Sequence, residues 1–594
     1  MIGSAAQLSV MGILFIMLVL FVTGRIRYDL VAVLGLVAVT LVGAVSPEEA
    51  FSGFGHPAVI TVAAVLIISR GLLNSGLVDG IVRLVSGVGD NLLAQIAVLT
   101  TLVAICSAFI NNVGALALFM PVALRISSRS GTPASALLMP LAFGSLLGGL
   151  TTLIGTPPNI IIATFRTEAA LEPFRMFDFA PVGGLVALAG LAFLILLGWR
   201  LVPRRRSSPS SEDLFEIGEY LTELSVPEDS PLAGKPLGEM ENADHDINIL
   251  AIIRGDRRLP APSPRRLLRE GDILVVRADT DGLKHLTEEQ GFAMAEAGEL
   301  DAESLGSDEV VVIEVVVSPS SRSEGKTAKG LNLRRRYGVN LLGISREGSG
   351  LRGRLNTARL RPGDVLLLQG GRDLLPEILP ELGFLPLAPR DLRFGTPRRL
   401  LLGGGIFAVA LVAAALGLVP SGIALVAAAL IMTLGGLIAP RELYESVDWS
   451  IIVLLGAMIP VSAALENTGG ADLIADSLLA VSAGAPPPIT LTILLVGTMF
   501  LSDLVNNAAA TVLVAPIALG VAAGMGASPD PFLMAVAVGA SCAFLTPIGH
   551  QSNTLVMGPG GYRFGDYWRM GLPLEVIIVL VAIPALLWIW PLGI

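Results

Sequence analysis

The chain has 594 residues, of which 53% are hydrophobic and only 15% are charged. A soluble globular protein of this size carries more charge, so the composition predicts a protein that lies in a lipid bilayer. The formal net charge of −10 argues against a nucleic-acid polymer as a partner.

Apolar runs of about 20 residues, the length at which a helix crosses ~30 Å of hydrocarbon, occur toward both ends of the chain. The runs that reach or nearly reach this length are residues 8–23, 29–45, 57–69, 179–199, 401–419, 421–439, 450–465 and 571–592. The first has no basic leader and no convincing cleavage site, so we predict a retained helix rather than a signal peptide.

Two further apolar segments, about 92–125 and 488–522, share an internal repeat. The first contains "SAFINNVGALALFMP" (107–121) and the second "SDLVNNAAATVLVAP" (502–516), with the same spacing from serine to an Asn-Asn pair and on to proline. We predict that each segment enters and leaves the membrane on one side, as a re-entrant hairpin with the asparagines at its tip.

A second pair of repeats interrupts apolar sequence with prolines, glycine and asparagine. "LIGTPPNIII" (153–162) and "PIGHQSNTLV" (547–556) share the spacing Ile-Gly-x-x-x-Asn and follow the two Asn-Asn pairs at nearly equal intervals. A helix broken inside a membrane is tolerable only where the freed backbone groups line a polar cavity. We therefore predict two broken helices whose exposed amides suit an anion and whose carbonyls suit a cation.

These repeats divide the membrane part into two copies, 1–202 and 395–594. Short cytoplasmic loops collect arginine. With the amino terminus outside and five crossings in each copy, Arg25, Arg83, Arg204–Arg206 and other loop arginines meet this rule, and Arg166 and Arg175 are the exceptions. An odd number of crossings inverts the second copy. The predicted fold class is a polytopic α-helical membrane protein, an inverted repeat with ten crossings, two re-entrant hairpins and two broken helices, in the inner membrane.

The block between the copies, 203–394, is rich in charge and is predicted to be a cytoplasmic soluble α/β insertion. It holds all four lysines of the protein, which are Lys235, Lys284, Lys326 and Lys329. It is also doubled: "INILAIIRGD" (247–256) and "VNLLGISREG" (339–348) precede "REGDILVVRA" (269–278) and "RPGDVLLLQG" (361–370) by equal intervals. Such apolar runs, bounded by Gly-Asp turns, are typical of strands.

At these motifs the membrane part resembles the divalent anion:sodium symporter family of the ion transporter superfamily. The asparagines of the tips match that family's Ser-Asn-Thr motif, although its flanking hydroxyls are absent here. Its Thr-Pro signature is matched by Thr156-Pro157 and Thr546-Pro547. The segments 203–299 and 300–394 resemble two RCK C-terminal (TrkA-C) domains. The motif "TPIGHQSN" together with an insertion of this type is most similar to the sulfate-transporting branch of the family.

The resemblance implies an elevator-type carrier that forms a homodimer and couples uptake to Na⁺. It implies a first Na⁺ site at Ser107, Asn111, Asn112 and Gly155, and a second at Ser502, Val505, Asn507 and Leu545. It implies an anion held near Asn112, Thr156, Pro157, Asn507, Thr546 and Pro547. It also implies that the inserted domains pair with one another and, as one alternative, bind a regulatory nucleotide.

Three polar residues near the second break have open roles. Asp503 has Ala108 at its counterpart position, and as an ionisable residue in a membrane hairpin it is a candidate cation or proton carrier, or else a carboxylate at a wet hairpin base. His550 is a candidate for proton dependence, for a hydrogen bond to the anion, or for a structural role. Ser552 is a candidate contact for the substrate.

The first functional hypothesis is Na⁺-coupled uptake of a small divalent anion, with sulfate as the first candidate. The alternatives are a Na⁺-coupled di- or tricarboxylate carrier and a cation/proton antiporter that uses Asp503. The sequence contains no catalytic constellation, so an enzyme is not expected.

Overall fold

The computed structural model describes most of the chain. The described residues are 5–23, 26–75, 91–169, 171–172, 174–203, 221–227, 230, 233–237, 247–254, 257–260, 262, 265–277, 283–289, 291–294, 310–319, 321–346, 349–351, 355–387, 397–481 and 486–593. Arg25, Arg83 and Arg204–Arg206, on which part of the predicted orientation depends, lie outside these residues.

The first part of the chain is helical, as its apolar runs predict. Its helices are Ala5–Thr23, Tyr28–Leu41, Pro57–Asn74, Leu92–Ser107, Asn112–Ser130, Ala134–Gly149, Pro157–Glu168 and Ala180–Phe193, the last continuing to Leu201. Leu92–Ser107 and Asn112–Ser130 form the first hairpin. Ala134–Gly149 and Pro157–Glu168 form the first broken helix.

The last part repeats this order. Its helices are Pro397–Ala415, Ser421–Leu434, Pro440–Glu445, Trp449–Asn467, Gly470–Val481, Pro487–Leu504, Asn507–Met525, Pro529–Ser541, Gln551–Met557 and Tyr567–Ile589. Pro487–Leu504 and Asn507–Met525 form the second hairpin, and Pro529–Ser541 with Gln551–Met557 forms the second broken helix.

Seven helices among the described residues are at least 18 residues long and apolar enough to cross a membrane. They are Ala5–Thr23, Pro57–Asn74, Ala180–Leu201, Trp449–Asn467, Pro487–Leu504, Asn507–Met525 and Phe564–Ile589. The prediction of a polytopic helical protein is therefore confirmed. Helix length alone does not distinguish a re-entrant hairpin from a pair of crossings.

The two broken helices run antiparallel to each other. At one end, Arg166 near the end of the first broken helix forms a two-point ion pair with Asp530 at the start of the second (2.7 and 3.0 Å). At the other end, the Tyr562 hydroxyl, just after the second broken helix, donates to the Ser135 carbonyl (2.6 Å) and accepts from the Met139 amide (2.9 Å) near the start of the first. Each broken helix thus begins where the other ends.

Between the helical parts lie two five-stranded sheets. The first contains β1 (Leu221–Ser225), β2 (Asn248–Arg254), β3 (Arg257–Pro260), β4 (Ile273–Arg277) and β5 (Ala293–Met294). The second contains β6 (Val310–Val317), β7 (Asn340–Arg346), β8 (Ser349–Gly350), β9 (Val365–Gly371) and β10 (Phe384–Pro386). The strand orders are β3-β2-β4-β1-β5 and β8-β7-β9-β6-β10, and every pairing is antiparallel, so the two sheets have one topology.

One ion pair, between a buried aspartate and a partly exposed arginine, recurs in both sheets. Asp272 accepts two hydrogen bonds from Arg254, both 2.7 Å long, and Asp364 accepts two of the same length from Arg346. The hydrogen bond that Arg254 donates to Asp272 raises the pKa of Arg254. Each aspartate follows a glycine with positive φ, which is a turn conformation that favours glycine. The Gly-Asp turns seen in the sequence therefore anchor equivalent strands.

The second sheet touches the second broken helix through backbone atoms. A Cβ added to Gly363, in the turn before β9, would lie 2.7 Å from the Thr554 carbonyl oxygen. A Cβ added to Gly558, just after the helix Gln551–Met557, would collide with the Gly363 carbonyl oxygen. Two glycines therefore permit a close approach between the sheet and the broken helix.

Candidate functional site

The tips of the two hairpins have the same capping arrangement. Asn111 precedes the helix Asn112–Ser130, and its side-chain oxygen accepts a hydrogen bond from the Val113 amide (3.2 Å). Asn506 precedes the helix Asn507–Met525 and accepts from the Ala508 amide in the same way (2.9 Å). The first asparagine of each Asn-Asn pair is thus a helix cap, which explains why both copies retain it.

The breaks are held together by asparagine side chains that replace lost helical hydrogen bonds. Asn159 donates from its side-chain amide to the carbonyls of Gly149 (3.3 Å) and Thr152 (2.8 Å). Asn553 donates to the carbonyls of Ala543 (2.9 Å) and Thr546 (3.1 Å). In each copy the two acceptors lie ten and seven residues earlier, so the repeat in sequence is also a repeat of geometry.

The structural counterpart of Thr546 is Thr152. Thr546 donates its hydroxyl hydrogen to the carbonyl of Asp503 (2.8 Å), and Thr152 donates to the carbonyl of Ala108, the counterpart of Asp503. Thr156 has a different position, since it immediately precedes the helix Pro157–Glu168 as His550 precedes Gln551–Met557. Sequence reasoning missed Thr152, although the longer spacing Thr-x-Ile-Gly-x-x-x-Asn occurs in both copies.

The two copies meet where Asn112 of the first hairpin contacts His550 of the second break. With its amide nitrogen turned toward them, Asn112 donates to the Ser107 hydroxyl (2.6 Å) and the Gly155 carbonyl (3.3 Å). Its amide oxygen then faces Nε2 of His550 across 3.4 Å. Because Nδ1 of His550 accepts from the Ser552 amide (3.0 Å), the proton of the ring is assigned to Nε2, which donates to Asn112.

Several polar oxygens in and beside the breaks are buried and have no protein hydrogen-bond partner. They are Oγ1 of Thr156, Oδ1 of Asn159, Oγ of Ser541, Oγ of Ser552 and Oδ1 of Asn553. Buried polar atoms in proteins are usually satisfied, so a concentration of such atoms indicates where a polar solute, an ion or water is bound. Thr156 and Ser552, two predicted contacts of the substrate, are among them.

The remaining predicted residues lie in the same two regions of the structure. Ser502 donates its hydroxyl hydrogen to the Ala540 carbonyl (2.5 Å), and the side-chain oxygen of Asn507 accepts from the amide of its own neighbour, Ala508 (2.9 Å). Val505 lies at the tip of the second hairpin, directly after the helix Pro487–Leu504. In the second break, the Leu545 amide donates to Asp503 and the Pro547 carbonyl accepts from the Thr554 hydroxyl. Pro157 begins the helix after the first break.

A second carboxyl group lies beside Asp503 and was missed from the sequence. Glu575, in the last helix, is within hydrogen-bonding reach of Asp503, and the exposed fractions of the two residues are 8% and 2%. The consecutive amides of Phe544 and Leu545 donate to Glu575 (3.2 Å) and Asp503 (3.0 Å) respectively. An acidic residue inside the apolar run 571–592 is the signal that could have found it.

A narrow crevice lies elsewhere, between the first broken helix, the second hairpin and the helices Pro57–Asn74 and Trp449–Asn467. Its lining is almost entirely apolar and contains none of the predicted site residues. The polar features of the described residues therefore favour the breaks as the functional site.

Apolar helices in this number, two of them broken and packed antiparallel with polar groups at the breaks, define a polytopic membrane transporter. The family model described as citrate transporter (CitMHS) matches residues 18–539 and 492–592. The chain therefore belongs to the citrate transporter family, in the ion transporter superfamily, and is a secondary transporter and not an enzyme. The resemblance seen in the sequence holds at the level of that superfamily.

Individual relatives agree with this assignment. An uncharacterized transporter of Synechocystis is 35% identical over 95% of this chain and 94% of its own length. The uncharacterized transporter YfbS of Escherichia coli K12 is 31% identical over 98% of this chain and 99% of its own length. Sodium/sulfate cotransporter 2 of Chlamydomonas reinhardtii is 28% identical over 54% of this chain and 38% of its own length.

Among solved structures, the YdaH transporter of Alcanivorax borkumensis aligns over 94% of this chain and 90% of its own chain, at 14% identity and a TM-score of 0.43. A likeness of that strength supports no inference about the site.

Proposed function

We propose that the protein moves a small divalent anion, sulfate first among the candidates, in symport with Na⁺. The observation that carries this proposal is the contact of Asn112 with His550, which joins the first hairpin to the second break. One helix begins at Asn112 and another begins immediately after His550. The amino-terminal ends of helices attract anions. Neither hairpin tip nor either break contains Lys or Arg, so amides and hydroxyls would bind the anion.

The sodium/sulfate cotransporters among the relatives support this choice of substrate and coupling ion. Their identity to this chain is 26–28%. In the proposal the anion contacts Asn112, Thr156, Pro157, Asn507, Thr546, Pro547 and Ser552. One Na⁺ is held by Ser107, Asn111, Asn112 and Gly155, and another by Ser502, Val505, Asn507 and Leu545.

The buried oxygens without protein partners fit bound ions and a polar solute. Thr156 and Ser552 offer hydroxyls that can donate to an oxyanion. The site oxygens of Ser107 and Ser502 and the freed carbonyls of the breaks are the hard ligands that Na⁺ prefers. We propose that the hairpins and broken helices move together as the carrying unit of an elevator, within a homodimer.

A second candidate function is transport of a di- or tricarboxylate. The description of the matching family, citrate transporter, favours it, and a carboxylate would use the same helix ends. The cation/proton antiporter hypothesis rests on Asp503 and predicts cation flux that needs no anion.

The proposed role of 203–394 is cytoplasmic regulation or dimerisation by two RCK C-terminal domains, with a nucleotide as one possible effector. The shared topology of the two sheets supports a duplicated domain, and the contact of Gly363 with the second broken helix supplies a physical route. Deleting 207–392 should alter regulation or dimer stability and leave substrate binding intact. Loss of substrate binding by the well-folded deletion would contradict this division.

The deciding experiment is uptake by purified protein in proteoliposomes. Labelled sulfate, thiosulfate, succinate and citrate are compared while the Na⁺ and pH gradients are varied separately. We expect sulfate uptake that needs a Na⁺ gradient; if succinate or citrate outcompetes sulfate, the carboxylate candidate replaces it.

Two variants test the assignment of residues. Asn112→Ala and Asn507→Ala should abolish uptake in folded protein, whereas Asn467→Ala, at the exposed end of another helix, should transport normally. Normal flux through either of the first two variants would contradict the site.

A further inference from the structure

The inserted block 203–394 connects two groups of helices. The helix Ala180–Leu201 precedes the block and packs against the first broken helix and against the last helix, Tyr567–Ile589. The helix Pro397–Ala415 follows the block and packs against Ser421–Leu434 and Pro57–Asn74. The block therefore lies in the covalent connection between helices that pack with the candidate site and helices that do not contain it.

The second group of helices forms a scaffold, and the first group is the carrying unit proposed above. The scaffold consists of Ala5–Thr23, Tyr28–Leu41, Pro57–Asn74, Pro397–Ala415, Ser421–Leu434 and Trp449–Asn467, which pack on one another. The carrying unit consists of the two hairpins, the two broken helices, Ala180–Leu201 and Tyr567–Ile589. In an elevator the carrying unit moves relative to the scaffold, so a domain that contacts both groups resists that motion.

The second sheet contacts the carrying unit close to the second break. The turn before β9 places Gly363 against the Thr554 carbonyl and against Gly558, and neither glycine has space for a Cβ. A Cβ added to Gly558 would also lie 3.1 Å from Cγ2 of Val365, in β9. Thr554 donates its hydroxyl hydrogen to the Pro547 carbonyl in the break (2.6 Å), so the contact is made by a residue that is itself bonded to the candidate site.

The same domain faces the scaffold with a carboxylate near Arg27. Glu324 is exposed in the turn before the short helix Ala328–Leu331 and lies within electrostatic range of Arg27, which immediately precedes Tyr28–Leu41. The pKa of Arg27 is raised mainly by its hydrogen bond to Asp29, and Glu324 adds to the rise. This places one acidic residue of the domain beside the loop between the first two scaffold helices.

A second carboxylate of the domain faces another scaffold arginine. Glu381, in the helix Leu375–Leu382, lies within electrostatic range of Arg441, which precedes the scaffold helix Trp449–Asn467. The pKa of Arg441 is raised mainly by its hydrogen bond to Glu445, and Glu381 adds to the rise. Opposite charges at such range attract, and added salt screens the attraction.

We propose that the second inserted domain is an inhibitory bridge, which binds the carrying unit through Gly363 and the scaffold through Glu324 and Glu381, and so holds the carrying unit in one position. A contact that is made in one conformation and lost in another stabilises the first conformation. Because the bridge has two ends, loosening either end frees the carrying unit. The proposal rests on the elevator motion proposed above and does not depend on which anion or coupling ion is moved.

Each end of the bridge can be loosened separately, with a matched control. Gly558→Ala acts at the carrying unit; its φ of −64° is ordinary for a helix, so alanine adds bulk without backbone strain. Gly565→Ala is its control, because that glycine has open space around it. Glu324→Gln combined with Glu381→Gln acts at the scaffold. Glu377→Gln, which removes an exposed carboxylate from the same helix as Glu381, is the control for charge.

The position of the carrying unit is measured as the distance between spin labels in full-length protein, diluted with unlabelled protein. The labels are attached to Thr167→Cys, near the end of the first broken helix, and Asn467→Cys, at the end of a scaffold helix, both exposed positions. The native Cys106 and Cys542 are buried. We expect one dominant distance in the parent protein and in both controls, and a second distance in Gly558→Ala and in the double glutamine variant.

Uptake of labelled sulfate by proteoliposomes is measured in parallel. We expect the maximal rate to rise about twofold to fivefold in each loosened variant, with an unchanged KM, since exposed charge pairs contribute modestly. Combining the changes at both ends should give no further rise, because a bridge released at one end no longer restrains the carrying unit. Added choline chloride at constant Na⁺ should speed uptake by the wild type and have no such effect on the double glutamine variant.

Each outcome decides for or against the bridge. An unchanged distance distribution in both loosened variants overturns the proposal, and so do rate increases that add when the two ends are combined. A second distance in both variants, in protein that does not take up sulfate, keeps the bridge and overturns only the proposed substrate. If Gly558→Ala is misfolded by gel filtration, the distance distribution and salt response of the double glutamine variant decide.

Discussion

Asn553→Leu should destabilise the protein by removing the two hydrogen bonds that hold the second break. Leucine has nearly the shape of asparagine but cannot donate, so the carbonyls of Ala543 and Thr546 would lose the donor at 2.9 and 3.1 Å. A buried polar group left unsatisfied costs roughly 1–3 kcal/mol, which gives about 2–6 kcal/mol for two. Side-chain hydrogen bonds within membrane bundles average nearer ~0.6 kcal/mol, because the unfolded state in lipid also finds partners. We expect the larger range, since these carbonyls have no helical donor to return to.

The assay is thermal unfolding in detergent, followed by intrinsic fluorescence, with sulfate uptake measured in parallel. Asn159→Leu should have a similar effect, because its acceptors lie at the same spacing in the first break. Asn467→Leu is the control, since that side chain is exposed. If both break variants unfold within error of the control, the asparagine amides do not support the breaks and our account of the repeat is refuted.

Three further outcomes follow from particular contacts. Gly558→Ala should push the second sheet from the broken helix at a cost of about 1–3 kcal/mol, because the new methyl group would collide with the Gly363 carbonyl; faster proteolysis within 203–394 would show it, and an unchanged pattern would contradict it. Tyr562→Phe should lower the free energy of unfolding by roughly 1–3 kcal/mol, because it removes the hydroxyl that joins the two copies. A stability equal to that of the wild type would contradict this role of the hydroxyl. Asp364→Asn should cost about 1.5–3 kcal/mol by weakening the two-point pair with Arg346 and should increase hydrogen exchange in β9; unchanged exchange would argue against a structural role.

The helical class and the two breaks were predictable because they follow from local composition. A hydrophobic stretch of about 20 residues has few alternatives to a helix in lipid, and proline with glycine interrupts it wherever it occurs. The role of Asn159 and Asn553 as bridges across freed carbonyls also follows from their position after the break. The division into two copies was predictable because the same residue spacing occurs twice. A spacing that occurred once would not have indicated a duplication.

Contacts between distant parts of the chain were not predictable. Each contact depends on how two segments are placed relative to each other, and the local sequence of neither segment specifies that placement. The Thr-Pro signature matches Thr156 and not Thr152, four residues earlier, because Thr152 is not followed by proline. The hydrogen bond from Thr152 to the Ala108 carbonyl identifies it as the counterpart of Thr546. Glu575 looked like one acidic residue in an apolar run until the fold brought it to Asp503 from 72 residues away in sequence.

The sequence by itself determined that this protein is a membrane protein with two matching halves, each interrupted at an Ile-Gly-x-x-x-Asn motif, since hydropathy and spacing act over short distances. Only the tertiary structure decided that Arg166 pairs with Asp530, that Asn112 faces His550 and that Gly363 touches the second broken helix. Those pairings arise from packing of surfaces that are contiguous in space and remote in the chain, where one carbonyl or one missing Cβ determines the fit.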